Sequence, residues 1–174
     1  MKKLPKFLTE KMAEEAIKMV WWMVLDQTSI HFKTKSKACH VVVLVPEQEN
    51  PDGPNQVGRY PNYSVRPYTL FEYSFGNKES EWTANYDDIA RSKAYKLWNG
   101  MNDGRTDIIP HLMYSGDCPF WGGVKRDGIV VACSGVEAHF DRMISGMIAD
   151  MLIAGAYHAW MKSNDKKENL DYLS

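Results

Sequence analysis

The residues able to do chemistry are concentrated between Phe120 and Asp141, FWGGVKRDGIVVACSGVEAHFD, with a few donors just upstream. Gly122 and Gly123 offer a backbone that a ligand can approach closely and amides that can hold an anion, although a strand bulge would use the same pair. Ser134 stands three residues before Glu137, the spacing of a capping box, so a helix is expected to begin here. Its unpaired amides, together with Gly135, make a second anion-friendly element. Cys118 precedes Pro119, a pairing that suits a thiolate ligand to haem iron; a turn proline beside a reduced buried cysteine is the plainer use of the same two residues. His111, just ahead of this region, and His139, near the helix start, are the histidines best placed to face a pocket. His111 and Cys118 form the candidate axial pair. Phe120 and Trp121 abut the glycines and would wall a flat apolar ligand, the alternative being core or subunit packing.

Other chemistries lack their residues. His31, His40, His111, His139 and His158 include neither HExxH nor an i, i+4 pair, so a closed metal site is not expected. His40 sits in an apolar strand and reads as a core or interface residue. Ser134 has no GxSxG elbow and no His/Asp relay around it, so no catalytic residue is assigned.

Ser92, Lys93 and Ala94, then Gly122, Gly123 and Val124, then Ser134 and Gly135, and finally Asp141 follow one another in a recognisable order. In these residues the later part of the chain resembles the GlcG/HbpS-like family of small haem-binding and glycolate-operon proteins, which also includes a domain appended to corrinoid adenosyltransferases. The chain departs from the family pattern at Lys125, where proline is usual, and at Val131-Ala132-Cys133, where the family strand bears glycine. The resemblance implies an α+β fold: a profilin-like three-layer α/β/α sandwich with a four- to five-stranded antiparallel sheet and long N- and C-terminal helices. It also implies a tetrapyrrole-related role, with haem as the candidate cofactor, a symmetric homo-oligomer, and Gly122 and Gly123 as a binding wall. On the same ground Lys93 would present its ammonium to a ligand carboxylate or propionate; an ion pair with a nearby carboxylate is the structural alternative. The expected ligand site is therefore Lys93, His111, Cys118, Trp121, Gly122, Gly123, Ser134, Gly135 and His139.

The elements that must position these residues are legible in the pattern. Thr9 is expected to cap a helix to about Asp26, with Met12, Ala16, Met19, Val20, Met23 and Val24 on its apolar face. The adjacent Trp21 and Trp22 diverge by ~100° on a helix, so one of them is expected to meet a ligand or another subunit. Ala38 to Val45 reads as a central strand, and Thr69 to Phe75 as its alternating partner. Between them Pro46 to Pro67, rich in proline and containing Tyr60 and Tyr63, is expected to be a long inserted loop that covers a neighbouring subunit. Asn85 is expected to cap a helix to about Trp98, with a break at Gly100 to Arg105 and a short element over Thr106 to Met113. Cys118 to Val124 and Ile129 to Cys133 should form a hairpin turning at Asp127-Gly128, feeding a last helix from Val136 to about Lys162. One domain is expected over 1–162, with a frayed polar tail at 163–174 whose Leu170, Tyr172 and Leu173 could dock on a partner.

Composition bounds the function classes. Lys plus Arg total 21 against 22 acidic residues, so no global field attracts nucleic acid or an anionic membrane. Three cysteines without a CxxC fit a reducing compartment, and the charged N-terminus has no signal-peptide core, so a cytoplasmic protein is expected. No apolar run reaches the ~20 residues of a membrane span. Three functional readings follow: a binding protein for haem or another small molecule, an enzyme or accessory subunit acting on a small hydroxy- or oxo-acid, and a structural oligomer with a vestigial pocket.

Overall fold

The computed structural model describes residues 3–25, 32, 34, 36–49, 64–101, 110–169 and 173. Helix α1 (Glu10–Leu25) begins where expected, because the Thr9 hydroxyl accepts the Met12 amide at 3.1 Å. Strands β1 (Cys39–Gln48) and β2 (Val65–Phe75) pair antiparallel, helix α2 (Tyr86–Trp98) follows, and the hairpin β3 (Gly123–Arg126) and β4 (Ile129–Ser134) leads to helix α3 (Ala138–Lys162). The sheet has four strands in the order β2-β1-β4-β3, all antiparallel neighbours.

Alternation along the strands sorts the core into two halves. Val41, Val43, Val45, Val131 and Cys133 face α1 and α3, while Val42, Leu44, Val130 and Ala132 meet Ala90, Ala94 and Leu97 of α2. The sheet is thus covered on both faces, which is why ACHVVVLV is apolar at nearly every position. The fold is α+β with three layers, α1 and α3 on one side and α2 on the other.

Several expectations change. The buried stripe of α1 is Ala13, Ala16, Ile17, Val20, Trp21 and Val24, whereas Met19 and Met23 are exposed together with Trp22. After Lys18 this helix is apolar all round, so spacing alone could not select the inner face there. The loop expected at 46–67 is shorter, because β1 and β2 continue until Pro46 faces Pro67 and Gln48 faces Val65. Pairing of β4 with β1 stops at Leu44, so β1 has a strand on only one side where its proline lies, and proline is tolerated there. Cys118 to Gly122 is not strand; pairing starts at Gly123. Asn85 occupies the N-cap position of α2 without a side-chain capping bond.

The tail is ordered further than expected. Ser163 caps a short helix α4 (Asn164–Lys167), accepting the Lys166 amide at 3.2 Å, and the buried Asp165 is ion-paired with Lys6. The element expected over Thr106 to Met113 is described only from Pro110, as a single 3₁₀ turn through Leu112. His31, Tyr60, Tyr63, Leu170 and Tyr172, most of the break after Gly100 and the middle of the 46–67 loop lie outside the described residues.

Candidate functional site

The short length of β3 decides the geometry of the site. Its last pair with β4 is Gly123 with Ala132, so Cys133 and Ser134 extend beyond its edge. Past that edge the two helical layers reach each other. Lys93 comes from α2 on one face, and its ammonium donates to the Cys133 carbonyl at 2.9 Å and to Asp141 Oδ2, on α3, at 2.8 Å. Both side chains are buried, Lys93 at 3% exposure and Asp141 at 2%. The other Asp141 oxygen accepts the Val136 amide at 3.3 Å. Burial pushes the Asp141 carboxyl above its usual range, opposed chiefly by the Lys93 ammonium and then by the Val136 amide.

Gly122 and Gly123 complete this corner by giving way to it. At Gly122, with φ +118°, a Cβ would lie 2.6 Å from the Asp141 Cβ and 2.8 Å from the Ala138 carbonyl oxygen. A Cβ at Gly123 would lie 2.6 Å from Leu97 Cδ1. The glycine pair lets the chain run tightly between the first turn of α3 and the last turn of α2. Lys93, Gly122 and Gly123 are therefore brought together, as expected, but around the Asp141 side chain and Leu97. The ion pair and the helix contacts take up the space between them.

Ser134 does not cap α3. It closes β4 opposite His40, and α3 starts four residues later with Glu137 in the N-cap position and no side-chain capping bond. The reason lies in Gly135, where a Cβ would meet the Ala38 carbonyl oxygen at 2.3 Å: the chain first turns past the start of β1 and only then coils. Ser134 and Gly135 are both buried. They line the strand-to-helix corner itself.

The remaining candidates lie nearer the surface. His111 is exposed on the turn Pro110–Leu112, and His139 is exposed on the first turn of α3, its ring 4.4 Å from that of Phe140. Trp121 and Cys118 are half-buried. Cys118 Sγ accepts the Phe120 amide at 3.4 Å, and the Cys118 carbonyl accepts Lys96 Nζ at 3.1 Å. Lys96 also pairs with Asp117 at 3.1 Å, whose carboxyl is held below its usual range by the Tyr114 amide and by Lys96. The segment from 113 to 122 has no regular structure and is tied to α2 through these contacts.

Two further features escaped the sequence. Cys39 and Cys133 face the same core layer, and burial, with Cys39 alongside, raises the Cys133 thiol well above the normal range, so it is no nucleophile. His40 donates or accepts at Nδ1 with Ser74 Oγ at 2.8 Å, but its buried Nε2 has no hydrogen-bond partner, the nearest carboxylate being Glu72 at 3.8 Å. Glu72 is itself held by Arg91 at 2.9 Å. Burial lowers the His40 pKa below its ordinary value. His40 was expected in the core or at an interface and is buried; that one of its ring nitrogens lacks a partner has no spacing signature.

An open cleft of about 420 Å³ lies among Ser36, Ala38, Asn77, Trp82, Thr83 and Tyr86; none of the expected site residues lines it, though Gly135 packs against the Ala38 carbonyl at its edge. Among the described residues no group of three His, Cys, Asp or Glu could hold a metal ion, and no helix is long and apolar enough to cross a membrane. Comparison with known proteins found no match: no family model, no curated protein and no solved structure corresponds to this chain.

Proposed function

We propose that the chain is a small-ligand-binding protein whose ligand is flat and largely apolar, haem or a related tetrapyrrole, docking on the segment from 110 to 121. The observation that carries this reading is the company His111 and Cys118 keep. Both donors stand on a single irregular segment whose Leu112, Tyr114 and Phe120 are exposed, Tyr114 at 73%. Exposed aromatics beside an imidazole and a thiol able to ligate iron suit a planar apolar ligand. The amide that Phe120 aims at the Cys118 sulfur is the kind of contact that stabilises a thiolate ligand.

The fit to haem is uneven along the expected site. His111 and Cys118 would hold the iron, and Trp121 with Phe120 would flank the ring; when bound, the group supplies a redox-active iron. Lys93, Ser134 and Gly135 have no part in this, since they are buried within the fold. The reading as an enzyme or accessory subunit for a small hydroxy- or oxo-acid relied on Lys93 as an anion receptor. With that ammonium engaged by Asp141, the geometry favours the binding protein.

Haem titration tests the proposal. A Soret band should grow in with the full-length protein and be lost or displaced in His111→Ala and Cys118→Ala. An unchanged spectrum at micromolar haem, or a band insensitive to both substitutions, would overturn it.

A further inference from the structure

The open cleft beside the start of β1 is lined by two large aromatic side chains that the core does not use. Trp82 and Tyr86 lie half-buried, and among the described residues neither is packed against either half of the core. Their rings meet each other instead, with centroids 5.1 Å apart and planes inclined by 37°. Each ring is anchored at its polar tip. The Trp82 indole N–H donates to the Asn77 carbonyl at 3.0 Å, and the Tyr86 hydroxyl shares a hydrogen bond with Thr83 Oγ1 at 2.7 Å. Tethered in this way, the two rings make one apolar platform along the cleft.

The backbone around the platform is held by local constraints. Gly76, just past β2, has φ +80°, and a Cβ there would overlap the Lys37 carbonyl oxygen, so the chain leaving β2 presses against the chain entering β1. A single 3₁₀ turn (Glu79–Glu81) then delivers Trp82, whose amide closes the turn on the Glu79 carbonyl at 3.1 Å. Lys37, Asn77 and Glu81 line the same cleft. All three are exposed, and among the described residues their side chains make no hydrogen bond or ion pair.

We propose that this cleft binds a short saccharide, with a pyranose ring laid on Trp82 and Tyr86 and its hydroxyls met by Asn77, Glu81 and Lys37. A pyranose carries C–H groups on its faces and hydroxyls round its edge, so it needs an apolar platform rimmed by donors and acceptors. The Glu81 carboxylate supplies acceptors, the Lys37 ammonium donors, and the Asn77 carboxamide both. Charged ligands suit the cleft less well. Lys37 and Glu81 are opposite in sign, and Asp87 and Asp88 in the first turn of α2, beside Tyr86, set that helix start against phosphate or another anion. An organic cation would need a gap between the rings, and Trp82 and Tyr86 close that gap by touching. The cleft volume of about 420 Å³ falls toward the small end of the ~300–1,000 Å³ range of small-molecule sites, which suits a mono- or disaccharide. The segment from 110 to 121 lines no part of this cleft, so the proposal stands apart from haem docking there.

The Trp82 indole N–H is a built-in NMR probe for the test. The full-length isotope-labelled protein would be titrated with glucose, galactose, mannose, N-acetylglucosamine, maltose and cellobiose, and separately with choline, glycine and inorganic phosphate. At least one saccharide should shift the Trp82 indole peak saturably at millimolar concentration, and saturation transfer should reach its ring C–H protons. Trp82→Ala, which also assigns the peak, should abolish that transfer. Glu81→Ala and Asn77→Ala, at exposed positions, should each weaken binding on the order of tenfold, as expected for a lost hydrogen bond to the ligand. The wild-type titration depends on no variant folding. An indole peak unmoved by every saccharide would overturn the proposal, as would a peak moved only by choline, glycine or phosphate. Saccharide binding undiminished in Trp82→Ala, or in both Glu81→Ala and Asn77→Ala, would overturn it equally.

Discussion

Lys93→Met separates an architectural lysine from a ligand-binding one, because the substitution keeps much of the stem and deletes only the ammonium. In the folded protein Asp141 would lose the partner at 2.8 Å and retain the Val136 amide at 3.3 Å, with the Cys133 carbonyl left without its donor. Stranding one member of a buried ion pair costs ~3–5 kcal/mol at neutral pH. For a chain of this size that corresponds to a fall in Tm of ~6–20 °C. The loss should depend on pH in a defined direction. Burial already raises the Asp141 pKa, and without Lys93 it rises further above the unfolded value of ~3.9. A carboxyl with a raised folded pKa contributes most when protonated, below its unfolded pKa, and that contribution is lost as pH rises through the folded pKa. The gap between wild type and variant should therefore be smallest near pH 4 and widen toward pH 8. Lys93→Met combined with Asp141→Leu removes both charges and should recover to within ~1–2 kcal/mol of wild type, since apolar replacement of a whole buried pair is often neutral or better. Urea denaturation followed by circular dichroism at several pH values measures all three proteins. A single variant within ~0.5 kcal/mol of wild type at pH 7, or a double variant as unstable as the single, would refute the cross-layer tie.

Gly122→Ala should destabilise by roughly 2–4 kcal/mol, combining a positive φ with overpacking against Asp141 and Ala138, and thermal melts would register it; a neutral result would mean that the corner is looser than its geometry indicates. His40 should titrate below the ordinary histidine value, because its folded pKa is depressed by burial, with Glu72 raising and Arg91 further lowering it. An unfolded chain then binds the extra proton more readily, so stability should fall as pH drops from the unfolded value of ~6.5 toward the folded one; His40→Gln should flatten that slope. Imidazole NMR shifts read the midpoint directly, and a midpoint at or above the ordinary value would contradict it.

Periodicity located α1, β1, β4 and α3, but not the start of β3 or the short helix α4. The β-branched run at Val41 to Val45 could only be a strand covered on both faces, and the α3 pattern of Ile144, Ile148 and Leu152 needed nothing but helical spacing. What spacing could not decide were positions where two local rules compete. Ser134 and Glu137 match a capping box, yet the cross-strand partner of Ser134, His40, lies far away in sequence, and the ladder prevailed over the cap. Prolines at 46 and 67 read as a loop because their compatibility with pairing depends on where β4 stops. The inner face of α1 was ambiguous only past Lys18, where apolar residues lie on every side and the stripe is set by the sheet beneath and not by the helix.

The residues that suggested a ligand site illustrate a more general confusion. A lysine, a glycine pair and a serine-glycine corner at fixed spacing look like a receptor for an anion. In this fold each has an architectural cause. Lys93 and Asp141 fasten the two helical layers past the end of a short strand, Gly122 and Gly123 allow that strand to enter between two helices, and Gly135 clears the Ala38 carbonyl. The spacing among them is imposed by strand and helix lengths, so it would persist whether or not anything bound. Functional specificity must then reside in residues that the architecture leaves free. His111 and Cys118 on the irregular segment and Trp82 at the cleft meet that condition, since none of these side chains is buried within the fold. Lys93→Met and His111→Ala therefore probe different things. The first should lower stability throughout, while the second should change the haem spectrum and leave the fold unmoved.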